Sequence, residues 1–115
     1  MLIDWKNDES CVLINPKAAK EDQQRIKEAL LSIGLKAHVW VGTSGTTGPS
    51  KWIALSKQAL LTSAASVNAH LCSTQQDVWI NALPLFHVGG VGISARSFLS
   101  GAEEVLLQDK WDPEL

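Results

Sequence analysis

Val39-Trp40-Val41-Gly42-Thr43-Ser44-Gly45-Thr46-Thr47-Gly48-Pro49-Ser50-Lys51-Trp52-Ile53-Ala54-Leu55 is the stretch on which the fold turns. Short apolar runs bounded by turn residues read as strands, so 37–41 and 52–55 are expected to be two strands. Between them five hydroxyl residues, Gly45, Gly48 and Pro49 interrupt both helical and strand patterning, which predicts a hairpin-type loop.

Working outward, Cys11 to Ile14 reads as a preceding strand, and Asn15-Pro16 as a helix start with a cap and a proline at the first position. Ile26, Ala29, Leu30 and Ile33 recur at helical spacing, so an amphipathic helix is expected over 17–33, ended by Gly34. On the other side, Ser56 caps a helix reaching about Leu71, with Leu60, Ala64, Val67 and Leu71 as its apolar stripe. A buried strand follows over 78–83, closed by Pro84. A third helix over 88–100 places Val88, Val91, Ala95 and Phe98 on one face before Gly101 stops it, and 103–107 reads as a last strand. Alternating strands and helices predict an α/β fold, a mostly parallel sheet with packed helices.

Asp112-Pro113-Glu114 is another helix-start signal, with no helix after it. The expectation is one partial domain over 1–115, truncated at its C-terminus within a larger fold. The 115 residues are 45% hydrophobic and 19% charged, an ordinary globular composition. A net charge of −2 speaks against a nucleic-acid footprint. The charged N-terminus leaves no secretory signal, and no apolar run suggests a membrane span. Cys11 and Cys72 fit no metal spacing, so no metal ligands are assigned; two idle thiols suit a cytoplasmic protein.

The loop has a chemistry of its own. Glycines let backbone N–H groups converge on an anion, hydroxyls donate without adding charge, and Lys51 supplies a mobile positive charge. Polyphosphate is the ligand this combination suits. It is not a Walker A loop, because Pro49 and Ser50 separate Gly48 from the lysine and a strand follows. A flexible Ser/Thr/Gly loop would share the composition; nine ordered positions ending in lysine favour a built anion site.

These residues resemble the adenylate-forming superfamily of acyl-CoA ligases, peptide-synthetase adenylation domains and luciferases. Its hallmark loop looks like Thr-Ser-Gly-[Ser/Thr]-Thr-Gly-x-Pro-Lys, and this sequence departs by inserting Ser50 before Lys51. A second landmark, Leu83-Pro84-Leu85-Phe86-His87-Val88-Gly89, resembles the family segment beside the acyl and nucleotide sites. The resemblance implies an AMP-binding domain that joins a carboxylate to CoA through an acyl-adenylate, with ATP, Mg2+ and CoA taking part. It assigns Thr43, Ser44, Gly45, Thr46, Thr47, Gly48 and Lys51 to the phosphates, Phe86 to a pocket wall and His87 to a catalytic or gating position. At the start of a helix the dipole would favour a neutral His87 imidazole.

Gly89, Gly92 and Arg96 fall at i, i+3 and i+7, leaving a gap beside a guanidinium on one helix face. This resembles the o-succinylbenzoate:CoA ligases of menaquinone synthesis, whose substrate carries a second carboxylate that an arginine can clasp. A solvated Arg96 is the equal alternative. The later acidic motifs and adenylation lysine of the family are not found, so the chain alone is expected to be inactive. A stand-alone nucleotide-binding module, a remnant with a protein-interaction role and a homo-oligomer all stay open.

Overall fold

The structure, a computed structural model, describes residues 3–42, 51–83 and 88–106. In chain order these form β1 (Cys11–Leu13), α1 (Lys20–Leu31), β2 (His38–Gly42), β3 (Trp52–Ser56), α2 (Lys57–Leu71), β4 (Val78–Asn81), α3 (Val88–Ser100) and β5 (Glu103–Leu106). All eight elements expected from the sequence are present. They form two sheets rather than one, β1-β2-β3 and β4-β5. β1 pairs parallel with β2 and β4 with β5, each across a helical connection, while β2 and β3 pair antiparallel.

The alternation of β2 is overridden by burial on both sides: Val39, Trp40 and Val41 are all buried, as expected of a central strand. Val39 and Val41 join Ile3, Trp5, Leu13, Ala64 of α2, and Val91 and Ala95 of α3 in one core cluster. Trp5 also tilts against Phe98, with ring centroids 6.5 Å apart. Nothing in the periodicity of the N-terminus had marked Ile3 and Trp5 as core residues.

A buried lysine explains why the N-terminal segment stays in place. Lys57 is 5% exposed, and its ammonium donates to Asp4 O (2.6 Å), Asn7 Oδ1 (2.8 Å) and Asn7 O (3.3 Å). Desolvating an ammonium is tolerated only when its protons are satisfied, and here three acceptors from one loop do so. Lys57→Ala is expected to lower unfolding stability by about 2 kcal/mol, the scale of hydrogen bonds to a charged group, in a urea titration. An unchanged midpoint would show that the clamp contributes nothing net.

Helix ends follow local chemistry with one exception. The Ser56 hydroxyl accepts from Ala59 N at 3.0 Å, so α2 begins as its cap dictates. Gly34 and Gly101 take left-handed φ of +85° and +74° after α1 and α3. The exception is the start of α1, which falls at Lys20 rather than at Lys17. Asn15 Oδ1 accepts from Lys17 N (2.9 Å) and Asn15 O from Ala18 N (3.0 Å), so Asn-Pro closes a separate turn instead of capping the helix.

Several expectations of burial fail, for Leu71 of the α2 stripe and Val88 and Phe98 of the α3 face are exposed. α1 buries none of its residues and leaves Leu31 exposed, as is Ile33 just beyond its end, so its stripe is only a half-covered flank. β4 ends at Asn81, short of the expected 83, and exposes Val78 (54%) and Ile80 (59%). Its other face packs on α3, and a two-stranded sheet with one packed layer leaves alternate side chains uncovered. Among the described residues no helix is long and apolar enough to cross a membrane.

Candidate functional site

β2 carries the candidate phosphate loop on a buried base. Its register with β3 runs from His38↔Ser56 to Gly42↔Trp52, so the antiparallel pairing continues to the mouth of the connection. Chain reversal between paired strands makes the intervening segment a hairpin connection, as the sequence implied. Thr43, Ser44, Gly45, Thr46, Thr47 and Gly48 lie outside the described residues. Lys51 is described: it is exposed and stands immediately before β3, beside the Gly42↔Trp52 pair.

The second candidate cluster belongs to α3. Phe86 and His87 lie outside the described residues, whereas Gly89, Gly92 and Arg96 sit on the helix as their spacing predicts. Arg96 folds back along this face. Its Nη2 lies 3.6 Å from the point that a Cβ on Gly92 would occupy, and its guanidinium carbon lies 5.8 Å from the Trp79 ring centroid. Such stacking is worth about 0.5–2 kcal/mol and leaves the in-plane N–H groups available. The described residues hold one salt bridge, Arg25 to Asp22, so no described carboxylate neutralises Arg96. Gly89 serves close approach: a Cβ there would lie 2.8 Å from Leu83 Cδ1.

The guanidinium over an indole beside a missing side chain suits a planar anion. It also shows Arg96 packed on an indole rather than freely solvated. Sequence reasoning missed Trp79 as its platform, although Trp79 stands on the β4 face that meets α3. It also missed Asn81, which is fully buried and donates to Gly90 O (3.0 Å) and Glu104 Oε2 (2.9 Å). A polar residue at the end of an apolar strand, just before Pro84, was the available signal.

Of the remaining titratable groups, Cys11 is perturbed. Burial pushes its thiol up from the ordinary range, and Lys57 pulls it back less strongly. Cys72 is exposed. Iodoacetamide at mildly alkaline pH is therefore expected to alkylate Cys72 first and Cys11 at least about tenfold more slowly, because the thiolate is the nucleophile. Equal rates by mass spectrometry would contradict the burial of Cys11. Among the described residues no group of His, Cys, Asp and Glu could hold a metal ion.

Strands, hairpin and helices together define a small α/β fold, and the sequence comparison gives its family. Residues 37–115 match the family model for AMP-binding enzymes, and the chain belongs to that family. Among its relatives, the 2-succinylbenzoate–CoA ligase of Bacillus cytotoxicus is 36% identical over 72 residues, 63% of this chain and 15% of the relative. Solved structures agree. MatB from Rhodopseudomonas palustris, with ATP bound, superposes with a TM-score of 0.52 at 32% identity, covering 66% of this chain and 15% of that one. o-Succinylbenzoate CoA synthetase (MenE) from Bacillus subtilis, in complex with the acyl-adenylate OSB-AMP, gives 0.57 at 27% identity over 84% of this chain and 30% of that one. The chain thus spans a small part of the length of the proteins it matches.

Proposed function

We propose that this chain is the phosphate-gripping and acyl-site part of an adenylation domain, from an ATP-dependent carboxylate–CoA ligase acting on 2-succinylbenzoate. In such a ligase a carboxylate oxygen attacks the α-phosphorus of ATP, pyrophosphate leaves, and the CoA thiol then displaces AMP from the acyl-adenylate. The observation that carries the reading is the β2–β3 hairpin. Its paired strands end at Gly42 and Trp52, so both ends of the hydroxyl-rich connection and Lys51 are held at one sheet end.

In this reading the backbone N–H groups and hydroxyls of residues 43–48 hold the β and γ phosphates, and Lys51 offsets charge developing on the leaving pyrophosphate. His87 and Phe86 line the acyl pocket. Arg96, set on Trp79, takes the substrate's second carboxylate across the space beside Gly92. The described residues offer no carboxylate group that fits Mg2+. Any magnesium would arrive on the nucleotide. A ligase drawing on ATP and CoA suits a cytoplasmic setting.

ATP is expected to raise the thermal midpoint of the chain. At a hundredfold excess over Kd the stabilisation is about 2.7 kcal/mol, on the order of 10 °C for a domain of this size. A midpoint indifferent to ATP would contradict the reading. A second reading has its own observation: Val78, Ile80 and Val105 are exposed on one face of β4-β5. A remnant kept for association would form concentration-dependent oligomers in sedimentation velocity, with no response to ATP.

A further inference from the structure

The buried face of α3 consists of small residues: Gly90, Val91, Ser94, Ala95 and Ser97. Such a face lets a helix approach closely, but its shallow ridges define position along the axis weakly. Directional bonds must then fix the register. At the C-terminal end Asn68 Nδ2 donates to Arg96 O (3.1 Å) and Ser97 Oγ to Ala102 O (2.8 Å). At the N-terminal end the tether is Asn81.

Every hydrogen-bonding group of that side chain is used. Its Nδ2 bridges Gly90 O and Glu104 Oε2, and its Oδ1 accepts from Leu83 N at 3.2 Å. Ser94 Oγ donates to the other Glu104 oxygen at 3.4 Å, so β4, α3 and β5 meet in one small network. Asn81 and Trp79 are two residues apart on β4, roughly 7 Å along one face. Gly90 and Arg96 are six residues apart on α3, roughly 9 Å along its axis. The Asn81–Gly90 bond and the Trp79–Arg96 stack are therefore two rungs of the same strand–helix contact.

We propose that Asn81 is a positioning residue for the acyl site: it sets the register of α3 on β4, and thereby the place of Arg96 over Trp79 beside Gly92. The proposal rests on the reading that the substrate's second carboxylate meets Arg96. Asn81 acts through the helix and touches no substrate.

The test is 15N NMR of the 115-residue chain, following the Arg96 side-chain Nε–H and the Trp79 indole N–H. Asn81→Leu keeps the branched outline at a larger volume and removes all three bonds; it is expected to displace both signals by several linewidths as the ring current at Arg96 changes. Glu104→Gln keeps an acceptor for Asn81 and a partner for Ser94, and should leave both signals in place. If Asn81→Leu does not fold, Asn81→Asp is read instead. It keeps the Leu83 bond, loses both donors and faces Glu104 with a second carboxylate, so the same displacement is expected. Signals unmoved in the folded variant, with stability alone reduced, would overturn the proposal, because Asn81 would then be a core residue only. Displaced signals in a chain whose wild type ignores added 2-succinylbenzoate would uphold the positioning role and reject the acyl-site reading.

Discussion

Lys51→Ala is expected to cut the thermal shift that ATP gives the wild-type chain to about half or less at the same ATP concentration, while leaving the midpoint without nucleotide within about 1 °C. The expectation follows from where the residue stands. Lys51 is exposed, one position ahead of β3, and outside the Val39–Val41 core, so its removal creates no cavity. A lysine on a polyphosphate makes charge-assisted hydrogen bonds worth about 1.5–3 kcal/mol, a loss of roughly ten- to hundredfold in affinity. Lys51→Arg retains the charge and should keep most of the shift. An undiminished shift in Lys51→Ala would mean that Ser50 displaces the lysine from the phosphates.

A second large effect is expected at Arg96. In a chimera carrying residues 37–106 of this chain within the Bacillus subtilis ligase, Arg96→Ala should raise KM for 2-succinylbenzoate about 10- to 100-fold. That is the value of about 1.5–3 kcal/mol for a clasped carboxylate. A monocarboxylate analogue that lacks only the second carboxylate should show a change of less than about twofold, since it never engages the guanidinium. Arg96→Lys should recover little, because a compact ammonium reproduces neither the bidentate fork nor the stack on Trp79. Equal losses for both substrates would assign Arg96 to helix packing.

Most elements were legible in the sequence because their signals are local. Ser56 stops β3 and starts α2 through a single side-chain bond, and Gly101 ends α3 because only a left-handed residue fits there. The hairpin was legible for the same reason: its glycines and hydroxyls can form neither element that flanks them. Asn15-Pro16 misled because an Asx turn and a helix cap use the same side-chain oxygen, and only the next turn decides between them.

What stayed hidden depends on contacts distant in sequence. Lys57 is an ordinary first-turn lysine until Asp4 and Asn7 come round to meet it. Asn81 looked like a strand residue, and its partners Gly90 and Glu104 lie 9 and 23 positions away. Exposure of Val78 and Ile80 was likewise beyond local reading, since an apolar run signals what a strand prefers to bury, not whether a layer lies against it. At the site, the sequence supplied Arg96 and both glycines by spacing, but the indole beneath the guanidinium needed the packing of α3 on β4.

The central claim is that the connection between β2 and β3 wraps the terminal phosphates of a nucleotide. The most direct measurement is an ATP titration of the 15N-labelled chain. Shifts concentrated at Gly42, at residues 43–50 and at Lys51 and Trp52, saturating with ATP and absent with adenosine, are the predicted result. Shifts scattered over α1 and α2, or no response in that connection, would contradict it.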